Sequence, residues 1–203
     1  MTIATLVLVR HGETVGESSI RYHGRTDVAL SEAGRGQMCA TARALQDVRF
    51  DRVFSSPLRR AYEGARIISS AGVIERINEF REIHFGLFEG LTAEEIRKRH
   101  PEEFARWNSQ RLLPHYAYPG GEGRADFRAR IERGVQRVLK AWRPEVCGGS
   151  VLLVAHRGVI RTLVSMLTGA EPSVELASIH ILENDKEWKV RSLDGVGHLK
   201  RQS

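Results

Sequence analysis

Cysteine is nearly absent: Cys39 and Cys147 are the only two in 203 residues, and neither stands in a Cys-x-x-Cys or other ligand spacing. That removes a disulfide framework and a thiolate metal site, and fits a reducing compartment with two inert thiols. Proline is also scarce, at 6 residues, and no Pro- or Gly-rich linker, internal repeat or low-complexity segment divides the chain. Long hydrophobic runs are missing as well. The apolar start, residues 3 to 9, is far short of the ~20 residues of a membrane span and lacks the basic leader and cleavage site of a signal peptide. It reads as the first strand of a cytoplasmic protein with no membrane association.

Charge of one sign is not concentrated anywhere. The net charge is +6, but basic residues alternate with acidic ones, as in "RADFRARIERGVQRVLKAWR" and "TAEEIRKRHPEEF". These read as solvated helix faces without the aromatic interleaving of a nucleic-acid surface, so the excess points to small anionic molecules rather than DNA or RNA. A chain of this length can bury roughly 70% of the surface its unfolded form exposes, which is enough for a core without staples.

What the sequence does contain is an alternation of apolar runs with amphipathic stretches. Strands are expected at 5–9, 51–54, 73–77 and 150–155, with helices at 31–46, 58–70, 124–142 and 158–168. Pro144 and the "CGG" turn separate the long helix from the strand after it, and a terminal hairpin is expected around Asn184-Asp185. This is the pattern of an α/β fold, a mostly parallel central sheet with helices on both faces. We expect one domain over 1–203. Between about 83 and 125 the rhythm is lost, and this stretch is expected to form a helical insertion or lid.

In such sheets ligands bind beyond the carboxyl ends of the strands. The first strand ends in Arg10-His11-Gly12, the second in Ser55-Ser56-Pro57 ahead of Arg59 and Arg60, and the late strand in His156-Arg157-Gly158. Guanidinium groups with the start of a helix make a dianion site, and a neutral imidazole within it can attack phosphorus. A proton for the leaving oxygen is offered by Glu82 or His84 in "EFREIHFGLFEG". There is no His-Glu-x-x-His pair or carboxylate pair beside the histidines, so no metal is expected.

"LVRHGET", "GRTDVALSEAG", "VFSSPLRRA", "REIHFGLFEGL", "PGGEG" and "VAHRGVIR", in this order over residues 6 to 161, resemble the histidine phosphatase superfamily, which includes the cofactor-dependent phosphoglycerate mutases. The resemblance implies a phosphoglycerate mutase-like fold. It also implies that His11 is the nucleophile, that Arg10, Arg60 and a protonated His156 hold the phosphoryl group, and that Glu82 is the acid and base. Arg21, His23 and Gly24 fall in the segment that lines the substrate side in the mutases. Two departures stand out. Arg157 replaces a small residue after the second histidine and becomes a further candidate for substrate contact, and "GESSI" at 16 to 20 replaces the Trp-Asn segment of the mutases. With no Arg-Arg pair in the lid, the chain resembles the phosphatase branch, within it the α-ribazole phosphatases. The function this implies is hydrolysis of small phosphate monoesters, with α-ribazole 5'-phosphate one candidate, through a phosphohistidine and without a cofactor. A cofactor-dependent mutase, or a catalytically silent member that binds phosphorylated ligands, is the alternative.

Overall fold

The computed structural model describes residues 3–16, 20–69, 72–143 and 149–201. Among these residues six strands form one mixed sheet: β1 (Ala4–Arg10), β2 (Arg52–Ser55), β3 (Glu75–Arg76), β4 (Gly149–Ala155), β5 (Ile179–Asn184) and β6 (Trp188–Gly195), in the order β3-β2-β4-β1-β5-β6. The first four in that order run parallel, and β5 and β6 close the edge as antiparallel strands. Six α-helices accompany them: α1 (Glu32–Ala44), α2 (Arg59–Ile68), α3 (Ala93–Arg99), α4 (Pro101–Gln110), α5 (Arg124–Trp142) and α6 (Arg157–Thr168).

The period-two alternation of β1 feeds both faces of the sheet. Leu6 and Leu8 join Phe54, Val151 and Leu153 under α5 and α6, while Val7 and Val9 join Val53, Leu152 and Val154 under α1 and α2. Both faces are therefore apolar, as a parallel sheet covered by helices demands. Each fully buried aliphatic side chain contributes about 1.5–3 kcal/mol, so a one-residue slip of β1 would exchange its two faces and is strongly disfavoured. That matters because the register sets Arg10 opposite Ala155. The residues that follow these two strands, His11 and His156, are neighbours for that reason.

Local signals end the elements where the side chains require it. Ser31 caps α1 through Gly34 N–H at 3.0 Å, Thr92 and Glu95 form a capping box on α3, and Gly169 at φ 74° ends α6. Three expectations need correction. The strand at 73–77 shrinks to Glu75–Arg76, because only Phe54 and Ser55 remain as partners on β2. The hairpin turn falls at residues 185–187, since Asn184 still pairs with Trp188. Helix α6 begins at Arg157, one residue early. Pro144, Cys147 and Gly148 of the expected break, and 17–19 of the "GESSI" stretch, lie outside the described residues. No helix among the described residues is long and apolar enough to cross a membrane.

Residues 83–125 leave the sheet through a 3-10 turn at Gly86–Phe88 and then α3 and α4. Tyr22, Phe85, Phe88, Trp107, Tyr116 and Tyr118 join there through edge-on ring contacts. The stretch returns at Glu122, whose carboxylate takes two bonds from Arg130 of α5, at 2.8 and 2.7 Å. Arg130 also donates to the carbonyls of Glu79 (2.6 Å) and Arg81 (2.8 Å), so one half-hidden guanidinium ties α5 to both ends of the excursion. Replacing it by Met strips the carbonyls of Glu79 and Arg81 of this donor and leaves Glu122 with His84 N–H at 3.3 Å and Arg25 at 3.5 Å. Arg130→Met should lower stability by about 1–3 kcal/mol, the usual loss when partly buried acceptors lose a donor, and urea unfolding will measure it.

Candidate active site

The strand ends converge. His11 N–H donates to the Ala155 carbonyl at 3.1 Å and Ser56 N–H to the Val154 carbonyl at 3.0 Å, so β1, β4 and β2 deliver His11, His156 and Ser56 to one spot. The His11 and His156 rings lie 5.1 Å apart, inclined at 66°. His11 Nδ1 bonds the Gly12 carbonyl at 2.7 Å, and Arg60 Nε donates to His11 Nε2 at 3.1 Å. These partners place the ring proton on Nδ1 and the lone pair on Nε2. Burial, with the Arg60 and Arg10 guanidinium groups beside it, holds the imidazole well below the usual histidine range. His11 is thus a neutral imidazole with its Nε2 lone pair oriented.

Arg60 is 1% exposed and nearly saturated. Its Nη1 donates to the Thr26 carbonyl at 2.8 Å and its Nη2 to those of His23 and Gly24 at 2.8 and 2.7 Å. Arg10 is less committed: one Nη1 bond to the Val174 carbonyl at 2.9 Å, and a buried Nε with no partner. Burial lowers both guanidinium groups to about 10, so both remain cationic at neutral pH. Glu82 accepts from Ile83 N–H and from Gly158 N–H, each at 2.9 Å. The second bond comes from the first turn of α6, and a Cβ on Gly158 would stand 2.5 Å from Glu82 Oε1. Glycine at that position is what lets the carboxylate reach the helix.

A cavity of about 1030 Å³ opens over this group. It is lined by Arg10, His11, Arg60 and Glu82, and farther out by Arg21, His23 and Arg157. His156 is fully buried beside the His11 ring, where its Nε2 meets Ser56 Oγ at 2.7 Å and its Nδ1 has no partner. Burial, Arg60 and His11 keep it well below the usual histidine range, so the protonated His156 expected from the resemblance is replaced by a neutral ring with an Nδ1 to offer. Arg21 gives its Nη1 to Glu95 at 2.6 Å and to the Gly90 carbonyl at 2.9 Å. Gly24 does not line the cavity: a Cβ there would strike the Ile83 carbonyl and Glu89, and its contribution is the carbonyl beneath Arg60. Arg59 pairs outward with Glu63, and Arg111 lies over the Trp107 ring.

Several partners escaped the sequence reading. Glu89 accepts from the N–H groups of Gly24, Arg25, Thr26 and Phe85 and from Thr26 Oγ1, shaping the loop whose carbonyls receive Arg60. Arg124, Arg128 and Arg161 line the cavity from helices that look like solvated faces in the sequence. The available signal was position, since Arg124 and Arg128 open a helix immediately after "PGGEG". Among the described residues no three His, Cys, Asp or Glu side chains come together as a metal site.

Comparison with known proteins fits this geometry. The sequence model of the histidine phosphatase superfamily, branch 1, matches residues 6–193. The chain belongs to this superfamily. Among its histidine phosphatase relatives is phosphoserine phosphatase 1 of Hydrogenobacter thermophilus, 34% identical over 83% of this chain and 78% of that protein. Another is glucosyl-3-phosphoglycerate phosphatase of Mycobacterium tuberculosis, 36% identical over 82% of this chain and 76% of the relative. A protein of M. tuberculosis described as bifunctional is longer, and the chain spans 56% of it at 33% identity. A solved structure described as a putative α-ribazole-5'-P phosphatase of Escherichia coli superposes with a TM-score of 0.84 at 27% identity, covering 95% of this chain and 96% of that one.

The buried rings give this member of the superfamily a pH signature. His11 and His156 are held neutral, and burial lowers His180 on β5 to about 4. The unfolded chain takes up protons at these positions near pH 6.5 while the folded chain refuses them, so their stability is complete above pH 6.5 and is lost as the pH falls. Each ring's share approaches ~1.4 kcal/mol per pH unit until its folded pKa is reached. Urea unfolding in phosphate-free buffers should show stability falling from pH 6.5 to 5, and His180→Gln should flatten part of that slope.

Proposed function

We propose that this chain is a phosphatase that hydrolyses small phosphate monoesters through a phosphohistidine on His11. The observation that carries the reading is the neutral His11 ring, its Nε2 lone pair oriented by the Nδ1 bond to Gly12, between two guanidinium groups and with Glu82 in the same cavity. His11 Nε2 attacks phosphorus while the bond to the ester oxygen breaks, and that oxygen takes a proton from the Glu82 carboxyl. Water then attacks phosphorus, giving its proton to the Glu82 carboxylate, and the P–N electron pair returns to Nε2. Arg10 and Arg60 stabilise the equatorial oxygens in both steps, and His156 Nδ1 supplies a further donor. Arg60 Nε must turn from Nε2 to the phosphoryl oxygen, an anionic acceptor that forms the stronger bond. Residues 83–125 serve as the lid of a single domain, since Leu112, Pro114 and Tyr118 reach the cavity.

The three phosphatase relatives are named for different alcohols, which leaves α-ribazole 5'-phosphate as one candidate beside phosphoserine and glucosyl-3-phosphoglycerate. Arg124, Arg128 and Arg157 line the cavity alongside Glu132, Glu171 and Glu175, and with Arg10 and Arg60 added the excess of positive charge favours an ester whose alcohol half is itself anionic. His11→Ala should abolish turnover of p-nitrophenyl phosphate with the fold intact, and alkali-quenched wild type should hold acid-labile phosphate. Full activity in the variant would exclude His11 as the carrier. Glu82→Gln should slow alkyl phosphates about 10²-fold or more and aryl phosphates far less, because phenolate leaves without a proton.

The same arginines favour one second reading, a phosphoglycerate mutase, which must hold a bisphosphate away from water. Against it stands a lid without a paired-arginine segment. With 3-phosphoglycerate and catalytic 2,3-bisphosphoglycerate we expect little 2-phosphoglycerate, while simple esters release phosphate over many turnovers. Fast isomerisation with negligible phosphate release would establish the mutase instead.

A further inference from the structure

The segment between α6 and β5 clasps both strand-end residues. Arg10 donates its backbone N–H to the Ser178 carbonyl at 3.2 Å and its Nη1 to the Val174 carbonyl at 2.9 Å, and the His11 carbonyl accepts from Ala177 N–H at 3.3 Å. This clasp is strained. Val174 has φ 59° and Ala177 φ 55°, and a β-branched residue in the left-handed region persists only where its surroundings impose it. The Val174 side chain is fully buried in the apolar core beneath α6, so its backbone carbonyl has one orientation available.

The constraint on that backbone comes from outside the cavity. Asp194, at the end of β6, accepts from Val174 N–H through Oδ1 at 2.7 Å and from Ser173 N–H through Oδ2 at 3.0 Å. Asp194 is itself at φ 54°, and its own N–H donates to Nδ1 of the buried His180 at 3.2 Å. His180 Nε2 in turn meets Ser178 Oγ at 2.8 Å, which closes a ring of contacts back to the clasp. We infer that Asp194 is a positioning residue for Arg10: its carboxylate fixes the strained Val174 peptide, whose carbonyl aims the Arg10 guanidinium at the phosphoryl site. The inference rests on the reading of Arg10 as a phosphate ligand. It assigns the antiparallel edge of the sheet a part in anion binding that no contact with the cavity would reveal.

Asn in place of Asp194 keeps the shape of the side chain but accepts only one of the two N–H groups and turns an NH2 toward the other. The test is a double-mutant cycle on the full chain, with inorganic phosphate as the probe and its Kd measured calorimetrically. Asp194→Asn should weaken phosphate binding about tenfold, the scale of one misdirected charge-assisted bond, and should raise KM for p-nitrophenyl phosphate more than it lowers kcat. In an Arg10→Ala background the same substitution should change the Kd by less than twofold. Equal weakening in both backgrounds, or an unchanged Kd in the single variant, would overturn the inference and leave Asp194 as a support of the hairpin alone. Arg10→Ala with wild-type phosphate affinity would overturn the assignment of Arg10 and the inference with it. Should Asp194→Asn fail to fold, Asp194→Ser, which keeps one short acceptor, carries the same cycle.

Discussion

A guanidinium that is 1% exposed has to be satisfied by the protein around it, and most of this site follows from how Arg60 is satisfied. Its Nε meets His11, and three carbonyls, from His23, Gly24 and Thr26, take its terminal N–H groups. Backbone carbonyls point inward in this way only if the loop that carries them is held from behind. Glu89 does this, accepting four backbone N–H groups and one hydroxyl, and in doing so it brings the loop against Phe85 and the start of the 83–125 excursion. One buried cation therefore links His11, the loop after β1 and the start of the 83–125 excursion.

Burial together with the same cation keeps His11 and His156 neutral. Burial disfavours the charged imidazole, and Arg60 and Arg10 add repulsion, so protonation is opposed twice. A neutral ring is what nucleophilic attack on phosphorus needs. The positive charge of the pocket resides on guanidinium groups, which cannot lose it near neutral pH, and the titratable rings are left free for chemistry and hydrogen bonding.

The strands and most helices were legible in the sequence because their signals are local: alternation in "TLVLV", Ser31 as a cap, Gly169 as a stop. Arg10, His11, Arg60 and His156 were legible because each ends or follows a strand or opens a helix, and the parallel register carries such residues to one edge, whereas Glu82 lies in a loop and was singled out by the resemblance of its "REIHFGLFEGL" stretch. What escaped depends on tertiary contact. Glu89 is an ordinary acidic residue until five donors surround it, and Arg21 is a candidate for substrate until Glu95 comes within 2.6 Å. Arg124 and Arg128 read as solvent-facing because their spacing says only which face of α5 they share. A valine at positive φ has no sequence signature at all, since its conformation is imposed by its neighbours against its own preference.

That last case shows where the antiparallel edge belongs in the argument. Four parallel strands would suffice to gather Arg10, His11, Ser56 and His156, and β5 and β6 contribute no side chain that lines the cavity. Yet β5 is the strand paired with β1 on its other side, in register from Ala4 to Val9, so it fixes the flank from which Arg10 is approached. The segment entering β5 cannot relax its positive φ angles without releasing the Arg10 side chain or the Ala177 bond to His11. Strain at Val174 is tolerated because Asp194 supplies two acceptors at the one place where the peptide would otherwise turn. The antiparallel edge of the sheet is thus what limits how Arg10 can move, and a cation held in place is what a developing charge on phosphorus requires.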